Sequence, residues 1–346
     1  MEEIKMNNNV LVTGGNGFLG LHIIAQLLQQ NYQVTTTLRN LSKKQDVIDT
    51  LTNNEIDNLD QLDFVEADLA QDKGWQEAMT NIDYVLSVAS PLFDSNASNL
   101  DQVFDNAKDG VLRILKAAYN AQVKRVVMTA NFGAVGFSNL DRNSITTEDD
   151  WTNPDQPGLS PYEKSKLLAE KAAWDFINQS DGHMEFATVN PVAILGAPLN
   201  DHISGSFGIV KNIVDGSMTR IPNIELNVVD VRDVAAIHIK TMITPAADGQ
   251  RFIASEDGKI SMKEIASLVR AKRPQLASKI TTKSMPDWIL SVGAPFNSEA
   301  KEGKLLHDMS RNVSNDKAKK ILGWQPISNN EDTVLATVDT IAKQMK

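Results

Sequence analysis

The sequence predicts an α/β fold: a doubly wound parallel sheet with a smaller C-terminal lobe. Three observations predict it. An apolar strand at Val10–Val12 runs into glycines at 14, 15, 17 and 20, and a helical pattern follows. Strand-like and helix-periodic segments then alternate as far as Asn190. Within them, Ile82–Ala89 is continuously apolar, as befits a central strand covered on both faces. The resulting division places residues 9–190 and 224–246 in a sheet domain of Rossmann type. Residues 191–223 and 247–346 form the lobe that shapes a substrate pocket.

Composition narrows the classes. The chain has 346 residues, 42 % hydrophobic and 23 % charged, which is ordinary for a globular protein with a substantial core. Its 34 basic and 44 acidic side chains leave a net charge of −10, which argues against nucleic-acid or anionic-membrane binding. There is no cysteine, so disulfides, thiol nucleophiles and thiolate-held metals are excluded. The five histidines, at 22, 183, 202, 238 and 307, form no close pair, and no metal site is expected. Met1 to Asn9 is polar, with no signal-peptide core, and no apolar run would span a bilayer. A cytoplasmic monomer or homodimer acting on a small molecule is the expectation.

The glycine turn carries the first chemistry. Gly14, Gly17 and Gly20 recur every third residue, and Gly15, Gly17 and Gly20 satisfy the Gly-x-Gly-x-x-Gly pattern. Glycines permit close backbone approach, and the N-terminus of the helix through Phe18 and Leu19 offers free N–H groups to a pyrophosphate. The second strand, Gln33–Leu38, ends at Arg39, with Lys43 and Lys44 just beyond. In dinucleotide folds an acidic residue here holds the ribose 2′-hydroxyl. A guanidinium instead suits a 2′-phosphate, so NADP(H) is the expected cofactor.

The third strand, Leu62–Ala67, leads to Asp68 and Leu69. Two readings of Asp68 stay open: it accepts from the adenine amino group, or it caps a helix starting near Ala70. A long helix is expected from Leu100 to Ala121 and the next strand from Lys124 to Ala130. Ser160 and Glu163 form a capping box with Pro161 at the first helical position, which opens a helix through about Ile177. Tyr162 then sits in its first turn, and Lys166 lies one turn on, on the same face. The ammonium and the helix N-terminus both favour the phenolate, so the pair suits proton donation to a carbonyl under reduction.

Glu185–Asn190 reads as the next strand, ending at Pro191 and Val192, and 192–222 is rich in glycine and serine. A short strand at Asn227–Val231, a helix through Met242 and a strand at Arg251–Ala254 follow. A capped helix covers Ser261–Lys272, an apolar stretch Met285–Phe296, and two helices split near Gly323 close the chain.

With these motifs in place, the chain resembles the extended short-chain dehydrogenases/reductases, specifically the dihydroflavonol 4-reductase-like group. The resemblance covers nearly the whole chain. It rests on Thr13–Gly20, Leu38-Arg39, Asp68-Leu69, Val88-Ala89-Ser90-Pro91, the Tyr162–Lys166 motif, Asn190-Pro191-Val192, Val229–Ala235 and Leu322-Gly323-Trp324. It implies NADPH-dependent reduction of an aldehyde or ketone, with the tyrosine as acid and the lysine on the nicotinamide ribose. The implied cofactor contacts include Val88, Ala89, Ser90, Thr129, Pro191 and Val192. It also implies a serine that polarises the carbonyl. Here the strand end reads Thr129-Ala130-Asn131, which places Asn131 at the serine position, with Thr129 as a second candidate. An asparagine amide donates hydrogen bonds as an oxyanion-hole residue does. Two other functions fit the motifs: an NADP(H)-binding redox-sensing regulator without turnover, and a nucleotide-sugar epimerase or dehydratase. Arg39 opposes the latter.

Overall fold

The structure is a computed structural model, and it describes residues 9–91 and 99–345. The polar stretch before Asn9 lies outside the described residues. A seven-stranded sheet organises the chain. Its strands are β1 (Asn9–Val12), β2 (Gln33–Leu38), β3 (Leu62–Glu66), β4 (Tyr84–Ser87), β5 (Arg125–Thr129) and β6 (Glu185–Pro191), with a seventh from further along. Three short strands follow β6: β7 (Ala193–Leu195), β8 (Glu225–Leu226) and β9 (Val228–Asp230). The seventh sheet strand is β10 (Arg251–Ala254), and β11 (Ile260–Ser261) comes last. The sheet order is β10-β6-β5-β4-β1-β2-β3, and every pairing is parallel. The order reverses between β1 and β4, and the crevice at the carboxyl ends of these two strands is the ligand position such sheets provide.

Helices cover both faces. They are α1 (Phe18–Gln29), α2 (Lys44–Asn53), α3 (Trp75–Ala78), α4 (Leu100–Asn120), α5 (Pro161–Gln179), α6 (Phe207–Val214) and α7 (Val231–Ile243). The lobe adds α8 (Met262–Lys272), α9 (Asp287–Gly293), α10 (Ser298–Asp308), α11 (Asp316–Leu322) and α12 (Asn330–Gln344). Helices α1 and α7 pack on one face, in a core that runs on into the lobe. On the other face, α4 and α5 pack together with Trp75 of α3. Burial from both sides explains why β4 and β5 are apolar without alternation.

Two differences from the sequence division have one cause. Strand β10 hydrogen-bonds alongside β6, although 247–346 was assigned to the lobe. The strand expected at Asn227–Val231 is present as β9, but it pairs with β7, and the preceding β8 pairs with β11, both outside the main sheet. Four- or five-residue apolar runs state that they are strands but not which edge they meet. The helix expected near Ala70 is also absent. Asp68 Oδ1 accepts from the Ala70 N–H at 2.9 Å, closing a turn, and α3 starts only at Trp75.

The C-terminal tail is pinned to the sheet domain. Gly323 adopts φ +58 and ends α11, which lets Trp324 turn inward to full burial. Its Nε1 donates to the Asp233 carbonyl at 3.1 Å, and the Asp233 carboxylate accepts from the Ile327 N–H at 2.8 Å.

Glu170 on α5 is fully buried and paired with Arg251 of β10, Nε to Oε1 at 2.9 Å. Arg251 also donates to the Glu148 and Asp150 carbonyls, each at 2.8 Å, and stacks 3.6 Å from the Trp151 ring centroid. Removing one partner of such a pair strands a buried charge. Arg251→Met is therefore expected to lower stability by about 3–5 kcal/mol. Adding Glu170→Gln to that variant should recover part of the loss, as urea denaturation of both would show.

Candidate active site

One cleft gathers the motifs. A cavity of about 1350 Å³ opens over the carboxyl ends of β1, β4, β5 and β6. Its lining includes Gly14, Gly17, Phe18, Leu19, Gly20, Arg39, Asp68, Leu69, Val88, Ala89 and Ser90. Thr129, Asn131, Tyr162, Lys166, Pro191 and Val192 lie on the same wall system. Lys43 is not among the lining residues; its ammonium lies 2.9 Å from Asp46 on the exposed start of α2. Lys44 lies 5.1 Å from the Phe64 ring centroid instead. Arg39 is left as the basic side chain on that wall next to β2.

The turn after β1 has the shape of a phosphate cradle. A Cβ at Gly20 would press into the Gly14 carbonyl oxygen, and one at Gly15 into the Thr36 side chain. Gly14 itself adopts φ +75. Thr13 and Thr37, which the sequence reading missed, hold the cradle in place. The Thr13 hydroxyl accepts from the N–H groups of Val88 and Ala89, both at 2.9 Å, tying β1 to β4. Thr37 Oγ1 accepts from the Gly14 N–H at 3.1 Å and lines the cavity. Thr37 sits two residues before Arg39 at the same strand end, which was a usable signal. These residues fit a dinucleotide: a backbone shaped for close approach, a helix N-terminus and a guanidinium on one wall.

The second constellation sits at the start of α5. The Ser160 side chain accepts from the Glu163 N–H at 3.3 Å, so Tyr162 lies in the first turn. The expected capping box is only half made. The Glu163 side chain does not return to the cap but packs over Gly133, with Oε2 buried and without a hydrogen-bond partner. By contrast, Ser261 and Glu264 complete both halves of theirs.

The Lys166 ammonium lies 5.9 Å from the Tyr162 ring centroid. Burial lowers its pKa to about 8, so it is still mostly charged at neutral pH. The Tyr162 phenol shifts upward rather than downward. Loss of water around it is the main cause, although 39 % of the residue is open to the cleft, and the charge of Glu163 adds to the rise. Hydrogen bonding from the Asn131 side chain acts in the opposite direction.

The hydrogen bonds distinguish the two candidates at the serine position. Asn131 Oδ1 accepts from the Gly133 N–H at 2.5 Å, which orients the amide and leaves its NH₂ group as the donor toward Tyr162. The Thr129 hydroxyl lies 2.7 Å from His238 Nε2, and His238 Nδ1 lies 2.7 Å from the Val234 carbonyl. A carbonyl only accepts, so Nδ1 carries the proton and Nε2 accepts a hydrogen bond from the Thr129 hydroxyl. That hydroxyl proton is committed. Burial lowers His238 to about 4 and keeps it neutral.

The lobe supplies the remaining wall. Ile203 to Ser206, Ile209 and Leu226 line it, with Glu302, Leu306 and Arg311 from around α10. Gly205 and Ser206 belong to the glycine- and serine-rich stretch 192–222 of the sequence, whereas no motif marks Leu226, Glu302, Leu306 or Arg311.

Comparison with known proteins places this geometry. The NAD dependent epimerase/dehydratase family model matches residues 10–253. A ketoreductase of Aspergillus niger is 31 % identical over 308 residues, covering 82 % of this chain and 88 % of that protein. The NADPH-dependent methylglyoxal reductase of Saccharomyces cerevisiae is 28 % identical, covering 97 % of this chain and 98 % of its own. The crystal structure of a yeast methylglyoxal/isovaleraldehyde reductase complexed with NADPH superposes with a TM-score of 0.79. It is 26 % identical and covers 97 % of this chain and 99 % of that one.

The Glu163 carboxyl gives a pH test. Burial first, and the charge of Glu302 second, raise it from 4.5 to about 7. A carboxyl raised on folding costs nothing when protonated in both states, and its penalty grows as pH rises through the folded value. Denaturation near pH 5 and near pH 8 should show Glu163→Gln gaining stability over the unmodified protein as pH rises.

Proposed function

The chain belongs to the NAD dependent epimerase/dehydratase family, and from that premise we propose that it reduces an aldehyde or ketone to an alcohol with NADPH. The observation that carries this reading is convergence. The glycine cradle, Arg39 and the Tyr162, Lys166 and Asn131 group all line one cavity. The named activities of the relatives and the NADPH in the yeast reductase structure support it. In this reading residues 9–190 and 224–246 hold the nucleotide, except that Leu226 of β8 joins the lobe in shaping the carbonyl site.

The bound cofactor supplies the hydride that reaches the carbonyl carbon. The protein's task is to hold the carbonyl and deliver one proton to its oxygen. Tyr162 stays protonated at neutral pH, since its pKa is raised, and is therefore a ready acid. Giving up the proton leaves a phenolate, which the nearby Lys166 ammonium and the Asn131 amide stabilise. The same amide is placed to donate to the substrate oxygen as negative charge develops there. Arg39, on the wall beside β2, would hold the 2′-phosphate through its charge-assisted donors.

Adding aldehydes or ketones to the purified protein with NADPH tests the reading. NADPH absorbance should fall, and a redox sensor without turnover would leave it unchanged. Tyr162→Phe should remove most turnover while keeping cofactor binding. Asn131→Ala should lower kcat by roughly 10² to 10³ and shift the kcat–pH profile upward, since a donor that favours the phenolate is gone. An unchanged profile would assign the oxygen contact to another group.

Cofactor choice is tested separately. Arg39→Asp should weaken NADPH binding by about 2 kcal/mol or more, because it removes a charge-assisted pair. NADH binding should change less. Calorimetric titration of both nucleotides reads this directly, and equal use of the two by the unmodified protein would exclude the role for Arg39.

A further inference from the structure

The substrate end of the cleft holds a cation that the proton-transfer chemistry does not use. Arg311 follows α10 and lines the cavity that Tyr162 and Asn131 share. Its backbone is fixed from several sides. The Ser310 N–H donates to the Asn139 carbonyl at 2.8 Å, and the Asn227 amide donates to the Arg311 carbonyl at 3.2 Å. The Thr146 N–H donates to the Asn312 carbonyl at 2.8 Å.

The guanidinium is poorly served by comparison. One Nη donates to the Leu306 carbonyl at 3.2 Å, while Nε is buried with no hydrogen-bond partner. Among the described residues, no carboxylate forms an ion pair with it. Glu225 attracts it, but that carboxylate is held by Lys259 at 2.7 Å. Glu302 and Glu163 line the same cavity, and burial favours the neutral form of both. Burial also lowers Arg311 to about 10, which leaves it charged at neutral pH.

Arg311 is half-buried, and a guanidinium with a buried, unpartnered Nε and no anion beside it is costly to hold, while its planar fork matches a carboxylate. We propose that Arg311 receives a carboxylate of the substrate, so that oxo acids are preferred over their neutral esters. The assignment rests on the reductase reading above and narrows its substrate class. The fork completes its hydrogen bonds on the acid group while the carbonyl lies toward Tyr162 and Asn131. Leu226 and Leu306 supply apolar wall for the chain between them.

The test compares oxo acids of graded chain length with their methyl esters, using the NADPH-loaded enzyme. At the best length, kcat/KM for the acid should exceed that for the ester by about tenfold to a hundredfold, mainly through KM. Arg311→Met should abolish that ratio, and Arg311→Lys should keep part of it. Hexanoate, but not hexanamide, should bind the NADPH-loaded protein by calorimetry and should lose binding in Arg311→Met. Equal use of acid and ester by the unmodified enzyme at every length would overturn the assignment. So would an unchanged acid-to-ester ratio in Arg311→Met. Should that variant not fold, the unmodified enzyme and Arg311→Lys decide by the same ratio. Failure to reduce acids, esters and simple aldehydes alike would overturn the reductase reading, and the hexanoate titration would then judge Arg311 alone.

Discussion

Glu170 brings a carboxylate into the core because side chains from two neighbouring strands reach it at once. Arg251 arrives from β10 at 2.9 Å, the Thr188 hydroxyl donates from β6 at 3.0 Å, and the Asn190 amide donates at 2.8 Å. A buried charge is tolerable only when its lone pairs are filled in this way. Glu170 lies one turn beyond Lys166 on α5, so its docking also fixes the helix that presents Tyr162 and Lys166. Asn190 extends the chain of contacts by donating to the Asn131 carbonyl at 3.3 Å. One carboxylate thus connects the helix bearing the acid, the strand end bearing the amide donor and the edge of the sheet.

Burial shifts the titrating groups of the cleft. Desolvation moves Tyr162 up, Lys166 down and Glu163 up, each against its charged form. An acid must hold its proton until the carbonyl oxygen begins to take it, and the raised phenol suits the role proposed for Tyr162. In that proposal the phenolate is stabilised by groups fixed beforehand: Lys166 by α5, and Asn131 by the Gly133 N–H that binds its carbonyl end. Such preorganised donors need no rearrangement when charge develops.

The two sides of the cleft are built differently. The nucleotide side consists of strand ends and tight turns, where backbone geometry does the work. The opposite wall is assembled from side chains of β8 and of segments near 203–209 and 302–311. The tail, anchored by Trp324 and Asp233, carries the lobe back onto the sheet domain.

The sequence by itself determined the sheet class, the glycine turn, the arginine after β2 and the tyrosine–lysine pair one helical turn apart. These are legible because each depends on residues within one turn of helix or one strand end of each other. Tertiary structure decided the rest. The sequence could not show that Lys43 pairs with Asp46, that the Glu163 side chain packs over Gly133 instead of returning to its cap, or that the Thr129 hydroxyl hydrogen-bonds His238. Nor could it show that β10 closes the sheet, or that Arg311 reaches the cavity. Thr129 and His238 are 109 residues apart, and Glu170 and Arg251 are 81 apart. Hydrophobic period encodes which face of an element is buried, whereas the partner met on that face depends on how distant elements pack.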